Sequence, residues 1–270
     1  MPKVSVLMPA HNASTYLGES IQSILNQNFK DFEFVIVDDA STDGTWSILE
    51  QYAATDDRIK IVRNQENLGI AATRNRLLGL ATGEYIAWQD ADDISQPWRL
   101  NKQVSVLDQN PHIGICGGYL EFFNKNKVLG VRRYAATDKM LRQNIFRFSP
   151  VAQPVAMIRR EAINRAGHFE SGIDVAEDLL MSFKIGQWYQ FANVPEVLLR
   201  YRQQSNSITF KKLKTLELNT LKIRNEFRTN PAYQFRFADA AYNLLQLVTL
   251  YLSPVSLRIW LFNTLRNSKR

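Results

Sequence analysis

The stretch that best indicates the fold lies at residues 84–93 and reads Glu84-Tyr85-Ile86-Ala87-Trp88-Gln89-Asp90-Ala91-Asp92-Asp93. Its apolar part is typical of a short buried β-strand, and three carboxylates follow that strand within four residues. Neighbouring carboxylates repel one another and raise each other's pKa, so the cluster favours a bound cation. Mg²⁺ and Mn²⁺ suit such a position, because they bind one or two carboxylates together with the phosphates of a substrate.

The chain before this stretch alternates between strand and helix patterns. Strands are predicted at residues 3–8, 32–37, 59–62 and 85–88, and apolar residues at helical spacing follow each of the first three. This alternation predicts an α/β fold with a mostly parallel sheet and helices on both faces. Because ligands bind beyond the carboxyl ends of parallel strands, the polar segments 9–12, 38–39 and 90–93 are expected to meet at one edge.

The chain after the acidic cluster has a less regular pattern. A helix is predicted from Pro97, strands at 113–123 and 128–134, a helix at 137–146 and a loop at 149–154. A strand at 155–158, a short helix at 161–166, a helix that opens with Glu177-Asp178 and a last strand at 197–201 follow. Negative charge at the start of a helix complements the helix dipole, so Glu177 and Asp178 have a structural explanation beside any functional one.

The composition excludes several classes of protein. The single cysteine, Cys116, excludes an internal disulfide and a multi-thiolate zinc site. The histidines, His11, His112 and His168, are too scattered along the chain to predict a metal cluster. The start of the chain lacks the basic-then-apolar plan of a signal peptide, so the expected location is cytoplasmic.

The positive charge lies in the last quarter of the chain. Residues 200–270 carry 13 Lys and Arg against 3 Asp and Glu, a net charge of +10, which leaves −3 on residues 1–199. This tail is rich in aliphatic and aromatic residues, which favours peripheral contact with the inner face of an anionic membrane over binding of nucleic acid. Residues 240–257 form an uncharged run of 18. Because a spanning helix needs about 20 mostly apolar residues, packing on the domain or lying in the membrane interface is favoured.

Six motifs, taken in order, resemble the family 2 inverting glycosyltransferases of the GT-A fold, and the resemblance covers about residues 1–207. They are Val4-Ser5-Val6-Leu7-Met8-Pro9-Ala10-His11-Asn12, Ile36-Val37-Asp38-Asp39-Ala40-Ser41-Thr42-Asp43-Gly44-Thr45, Asn67-Leu68-Gly69 with Arg74-Asn75, Gly83-Glu84-Tyr85-Ile86, Asp90-Ala91-Asp92-Asp93 and Ala176-Glu177-Asp178. Within that family the chain resembles bacterial enzymes that build lipooligosaccharide, O-antigen, capsule or exopolysaccharide.

The resemblance implies a division of the chain into two parts. A GT-A domain is expected at residues 1–205, with a nucleotide-sugar half at about 1–96 and an acceptor half at about 97–205. Residues 206–270 are expected to form a basic, helical C-terminal extension.

The resemblance also implies roles for individual residues. Asp92 is the expected metal ligand, Asp90 is expected at the donor ribose or sugar, and Asp178 is the expected catalytic base. Asp39, with Asp38 beside it, matches the acids that recognise the uracil of a UDP donor. The other expected donor-binding residues are Pro9, Ala10, His11 and Asn12 at the base pocket, Asn67, Gly69, Ala91, and Arg74 near the nucleotide. Glu177 and Gln153 are expected on the acceptor side.

Two glutamines depart from the family pattern. Many members have a histidine before the proline that Pro154 matches, where this chain has Gln153. Many also have a histidine in a Tyr-Arg-x-His pattern, where this chain has Gln204. Because Gln204 is a possible neighbour of the metal or the diphosphate, the change implies weaker donor binding or a greater reliance on Asp92.

Together these features predict a metal-dependent, inverting glycosyltransferase with Mn²⁺ or Mg²⁺ as its cofactor. Its expected partners are a nucleotide-sugar, first of all a UDP-sugar, and a glycan or lipid-linked acceptor. The alternative is a non-catalytic subunit that binds nucleotide-sugar or glycan within a membrane-associated assembly. A sugar-phosphate nucleotidyltransferase is disfavoured, because residues 8–12 are not a glycine-rich basic phosphate loop.

Purely structural interpretations of the same motifs stay open at this point. Residues 90–93 fit an acidic loop that caps the helix near Pro97, and residues 38–39 fit an acidic turn. Arg74 fits a structural ion-pair partner as well as a ligand of the nucleotide.

Overall fold

The computed structural model describes residues 1–125, 127–170, 173, 175–203, 212–255 and 257–258. The strands are β1 Val4–Ala10, β2 Phe32–Asp38, β3 Ile59–Arg63, β4 Tyr85–Trp88, β5 Ile94–Ser95, β6 Ile113–Asn124, β7 Lys127–Arg132, β8 Met157–Arg159 and β9 Gln190–Arg202. The helices are α1 Leu17–Leu25, α2 Thr45–Ala53, α3 Ile70–Leu80, α4 Arg99–Gln109, α5 Asp138–Arg142, α6 Arg160–Ala166, α7 Glu177–Gly186, α8 Leu213–Phe227 and α9 Phe237–Leu252, with a 3₁₀ helix at Gln153–Val155.

The strands form one sheet in the order β3-β2-β1-β4-β8-β6-β9-β5, and β7 pairs with β6. The first four strands are parallel, as predicted, and every residue of β2 and β4 is buried. The register aligns Ala10 with Asp38 and Leu7 with Trp88, so β1, β2 and β4 end close to the same level. The polar segments that follow these three strands therefore meet at one edge of the sheet, as the alternation of strands and helices predicts.

Helices cover both faces of the sheet, which confirms the α/β class. One core cluster packs the apolar sides of α1, α2 and α4 against one face. The other cluster packs α3, α6, α7 and α8 against the opposite face. Alternate residues of β1 divide between the two clusters, since Val6 and Met8 lie in the first and Leu7 lies in the second.

The second half of the sheet is mixed. Strands β6 and β9 pair in parallel, whereas β8 runs antiparallel to both β4 and β6 and β5 runs antiparallel to β9. The chain reaches β7 from β6 within a short turn, which permits only antiparallel pairing. Parallel pairing is thus confirmed for β1–β4, and the antiparallel pairs enter where the connections are short.

Two elements differ in length from their predictions. Strand β9 begins at Gln190 rather than near residue 197, because its pairing with β6 continues on both sides of Pro195. The register shifts between Val194 and Val197, and this irregularity accommodates the proline that interrupts the strand pattern in the sequence. Helix α5 covers only Asp138–Arg142 of the helix predicted at 137–146.

The tail is helical, as expected. Helices α8 and α9 contact each other, and α8 contacts α7, so this part packs on the sheet domain. Within the part of the chain that the structure describes, no helix is long and apolar enough to cross a membrane. Helix α9 ends at Leu252, before Ser253 and Pro254, which divide the uncharged run.

Candidate active site

The loops after β1 and β2 are joined by hydrogen bonds. Asn12 has a positive φ of 50°, and its backbone N–H donates to the Ser41 hydroxyl at 2.9 Å. The side-chain oxygen of Asn12 in turn accepts the backbone N–H of Thr42 at 2.9 Å. His11 contacts the next loop, because its Nδ1 lies 2.7 Å from the Asp39 carbonyl oxygen. These bonds hold the predicted base-pocket segment, Pro9, Ala10, His11 and Asn12, against the loop after β2.

The buried carboxylate of Asp39 organises the entrance to α3. It accepts the backbone N–H groups of Leu68 and Gly69, both at 2.9 Å, and the side-chain amide of Asn64 at 2.6 Å. Gly69 adopts a φ of +82°, a conformation that glycine takes without strain. A carboxylate has about four acceptor positions, so Asp39 keeps one for a ligand. Asn67, which lies 3.2 Å from His11 Nε2, completes this group.

The neighbouring Asp38 has a structural environment. It is fully buried, and its carboxylate lies 3.0 Å from the guanidinium of Arg63. The backbone N–H of Ser41 donates to its other oxygen at 3.2 Å. The acidic-turn interpretation therefore describes the contacts of Asp38, whereas Asp39 has room for a ligand.

The acidic loop after β4 combines two accessible carboxylates with one buried carboxylate. Asp90 and Asp92 are half-buried, and Asp93 is fully buried. Burial raises the pKa of Asp90 to about 6, against the opposing effect of Arg74, and the charge of Asp92 raises it further. Burial together with the charges of Asp90 and Asp92 also raises the pKa of Asp93 well above its usual value. The loop therefore concentrates negative charge that a bound cation would relieve.

Arg202, at the end of β9, anchors this loop. Its backbone N–H donates to Asp93 Oδ1 at 2.8 Å, and its Nε donates to the Asp92 carbonyl oxygen at 2.8 Å. Its guanidinium pairs with Glu19 at 2.6 Å and lies over the ring of Tyr16. The sequence signal for this role is the Tyr201-Arg202 pair of the family pattern, which we used only for the residue that follows it.

A second arginine lies beneath the loop. Arg99 is fully buried and donates to the Trp88 carbonyl at 2.5 Å, to Gln89 at 2.9 Å and to Ser95 at 2.8 Å. Burial lowers its pKa to about 9, while the charge of Asp93 opposes that shift. No sequence signal separates such an arginine from a solvent-exposed one at the start of a helix, and our sequence analysis missed it.

Arg74 connects the donor side of the site to the start of α7. It is buried, forms an ion pair with Glu177, and lies over the rings of Trp88 and Phe169. The ion-pair interpretation therefore describes its contacts, and its role near the nucleotide stays a prediction. Its charge also lowers the pKa of Asp90 and of Asp178, which places one cation between the two ends of the site.

Helix α7 begins with the two predicted acids. Ala176, the residue before it, adopts a left-handed conformation with a φ of 72°. Burial raises the pKa of Glu177 to about 7, with Arg74 opposing and Asp178 adding to the rise. Burial also raises the pKa of the half-buried Asp178 carboxyl, and Arg74 and backbone N–H groups lower it. Asp178 thus has the environment of a carboxylate whose basicity has been increased.

The two glutamines that depart from the family pattern have different standing. Gln153 begins the 3₁₀ helix, and its side-chain amide nitrogen is buried without a hydrogen-bond partner among the described residues. Ala91, in the acidic motif, is buried. The prediction for Gln204 lies outside the described residues.

The donor set of the acidic loop fits a divalent cation of one kind. Residues 1–125, 127–170, 173, 175–203, 212–255 and 257–258 contain no group of three or more His, Cys, Asp and Glu side chains that could hold a metal. Asp90 and Asp92 nevertheless present two half-buried carboxylates, two residues apart, on one loop. Mg²⁺ and Mn²⁺ commonly take one or two protein carboxylates and complete their octahedron with water and phosphate oxygens. The loop fits an ion of that kind.

Solved structures with the same fold are glycosyltransferases. S. aureus TarS in complex with UDP superposes with a TM-score of 0.69 at 21% identity, covering 93% of this chain and 72% of that one. The mannosyltransferase PcManGT of Pyrobaculum calidifontis, in complex with GDP-Man and Mn²⁺, gives a TM-score of 0.67 at 23% identity, covering 97% and 72%. The fold is therefore the GT-A fold of glycosyltransferases.

Sequence comparisons define the family. The family described as glycosyl transferase family 2 matches residues 5–167. The putative glycosyltransferase EpsE of Bacillus subtilis (strain 168) is 48% identical over 132 residues, which span 48% of this chain and 48% of EpsE. WfgD of Escherichia coli, a UDP-Glc:alpha-D-GlcNAc-diphosphoundecaprenol beta-1,3-glucosyltransferase, is 29% identical over 231 residues, or 84% of this chain and 87% of WfgD. The chain belongs to glycosyl transferase family 2.

Proposed function

We propose that this chain transfers a sugar from a nucleotide-diphosphate donor, with UDP the first candidate, to a glycan or lipid-linked acceptor. Transfer inverts the anomeric configuration and depends on Mn²⁺ or Mg²⁺. The observation that carries the proposal is the meeting of three groups at one sheet edge. These groups are the Asp39 loop, the Asp90–Asp92 loop and the start of α7 with Asp178.

On the donor side, the loops after β1 and β2 bind the base, and Asp39 uses its remaining acceptor position for the uracil N–H. Asp92 holds the cation, and Asp90 orients the ribose or sugar. When bound, the cation stabilises the negative charge of the departing diphosphate. Arg99 and Arg202 keep the loop in place through the hydrogen bonds described above, although neither contacts the donor in this proposal.

On the acceptor side, Asp178 removes the proton from the attacking hydroxyl. Its raised pKa makes it a better base than an exposed aspartate, and Arg74 keeps that shift moderate. Glu177 is engaged in its ion pair with Arg74, so it orients the arginine rather than attacks the sugar. A single displacement with one base inverts the anomeric centre.

The relatives support the choice of substrates. WfgD acts, by its name, from UDP-Glc onto a diphosphoundecaprenol-linked sugar, and TarS was solved with UDP. PcManGT was solved with GDP-Man and Mn²⁺. A UDP-sugar and a lipid-linked acceptor are therefore the first pair to test, with GDP-sugars as the comparison. A lipid-linked acceptor would place the protein at the cytoplasmic face of the membrane, in peripheral contact through residues 206–270.

Calorimetry tests the metal and donor assignment. UDP should bind the wild-type protein at least about tenfold more tightly with Mn²⁺ than without it, because the cation bridges carboxylate and diphosphate. Asp92→Asn should lose that enhancement, whereas the control Asp57→Asn, at an exposed acid outside the site, should keep it. Metal-independent UDP binding by the wild type would contradict the assignment, and donor binding without any turnover would favour the non-catalytic alternative.

A further inference from the structure

Helix α9 carries its polar side chains on the face that packs against the protein. Asp239 is 1% exposed and forms an ion pair with Arg147 at 2.7 Å. Asn243 and Gln246 accept hydrogen bonds from the buried guanidinium of Arg224 at 3.0 and 2.9 Å. These three inward residues occur at helical spacing, so one whole side of α9 is attached through polar contacts.

The opposite side of α9 is apolar and exposed. Every residue of α9 with an exposed side chain is Phe, Leu, Val, Tyr or Ala. The large ones are between 41% and 90% exposed, and they include Phe237, Leu244, Leu245, Val248, Tyr251 and Leu252. At 100° per residue these positions cover about half of the helix circumference. We call this surface the outward face of α9.

This arrangement reverses that of an ordinary surface helix, which buries its apolar side and exposes its polar side. Apolar surface left in water costs about 25 cal/mol per Å², and monomeric soluble proteins rarely expose a contiguous patch of this kind. The polar contacts of Arg224 and Asp239 fix the helix in this orientation. The outward face therefore has the composition of a surface that meets an apolar medium.

Cations border the outward face. The ammonium group of Lys214 lies 5.4 Å from the ring centroid of Tyr251. Arg228 shares an apolar groove with Leu244 and Leu247, and Arg236 directly precedes Phe237. All three cations are exposed. An apolar stripe with Lys and Arg at its border is the pattern of helices that lie in the interface of an anionic bilayer.

The structure also disfavours the other occupants. Helix α9 has 16 residues, a length of about 24 Å, and one side of it is attached to the domain, so it cannot stand across a bilayer. Pairing of two copies through this face would bring two tails, each with a net charge of +10, against one another. We propose that the outward face of α9 inserts into the surface of an anionic lipid bilayer, with the helix axis parallel to the membrane.

A single cysteine on the outward face tests the proposal. The native Cys116 is buried, so Val248→Cys can be labelled selectively with an environment-sensitive fluorophore. Vesicles of phosphatidylcholine and phosphatidylglycerol should shift its emission to the blue and raise its intensity severalfold, and the effect should weaken with salt or without the anionic lipid. The matched control is Leu129→Cys on β7, which is 48% exposed and should show no change.

A charge-introducing pair measures how much the face contributes. Leu244→Glu with Val248→Glu should lower vesicle partitioning at least about tenfold, whereas Val128→Glu with Leu129→Glu, at similarly exposed positions, should not. Both pairs should keep UDP binding, so a failure here is distinguishable from a failure of the proposed function. The proposal is overturned if the label at 248 does not respond to vesicles. It is also overturned if the label is blue-shifted without lipid in a concentration-dependent manner, since that result identifies a second copy as the occupant.

Discussion

At the scale of single residues, Asp178 lies half-buried in the first turn of α7, where burial raises its pKa and Arg74 lowers it. The same pattern occurs at Asp90, so one arginine moderates the basicity of carboxylates on both sides of the site. Arg74 can act in this way because its ion pair with Glu177 and its contacts with aromatic rings hold it in place. These side chains are separated by more than 80 residues in sequence, and only the fold brings their charges into range.

The pH dependence of the rate follows from this environment. Asp178 must be ionised to act as a base, so kcat should fall as the pH decreases through its raised pKa, at an acid limb above the usual value of about 3.9. Glu177→Gln should move that limb to lower pH, because it removes a negative neighbour and leaves Arg74 paired with Asp178 alone. Rate measurements at saturating donor and metal would check both statements. A wild-type limb at the usual aspartate value, or an upward shift of the limb in the Glu177→Gln variant, would contradict them.

Single residues also show where sequence reasoning ends. The carboxylates of the acidic loop and of α7 were predicted because their motifs are local. Arg99 was not predicted, because its burial depends on Gln89 and Ser95, whose positions follow from the pairing of distant strands. The contact of Arg202 with Asp93 spans 109 residues and was equally inaccessible.

At the scale of elements, the parallel strands β1–β4 were predictable because each is a short apolar run and the first three are followed by a helical pattern. Strand β9 was only partly predictable, since Pro195 breaks its pattern and the irregular pairing with β6 compensates for that break. Helix α9 was predicted as an uncharged segment, but its orientation was not. That orientation depends on Arg147 and Arg224, which the sequence does not relate to the tail.

The close approach of β1 to the turn before β4 gives a prediction about stability. A Cβ at Gly83 would lie 2.5 Å from the backbone nitrogen of Ser5 and 2.7 Å from the carbonyl carbon of Val4. Gly83→Ala should therefore lower the free energy of unfolding by about 1–3 kcal/mol, because the backbone of β1 has to move. The control Gly79→Ala lies in α3 with open space around its Cβ and should raise that free energy by up to about 1 kcal/mol. Urea unfolding measures both, and equal stability of the two variants would refute the close approach.

At the scale of the whole molecule, the sheet collects segments from both halves of the chain at one edge. The loops after β1, β2 and β4 supply the donor side, and α7, more than 80 residues later, supplies the acceptor side. The expected boundary between the GT-A domain and the tail near residue 206 stays a prediction, because residues 204–211 lie outside the described part. The packing of α8 on α7 nevertheless ties the proposed membrane surface to the element that carries Asp178.

The measurement that bears most directly on the proposed transfer is UDP release from UDP-sugars by the purified chain with Mn²⁺ and an acceptor, compared between wild type and Asp178→Asn. The wild type should turn over, and the variant should bind UDP within about twofold of the wild type yet lose about 10²–10⁴-fold in rate, the usual contribution of a general base. The control Asp57→Asn should match the wild type in both respects. Undiminished turnover by Asp178→Asn, with UDP binding intact, would contradict the assignment of the base and with it the mechanism proposed for the site.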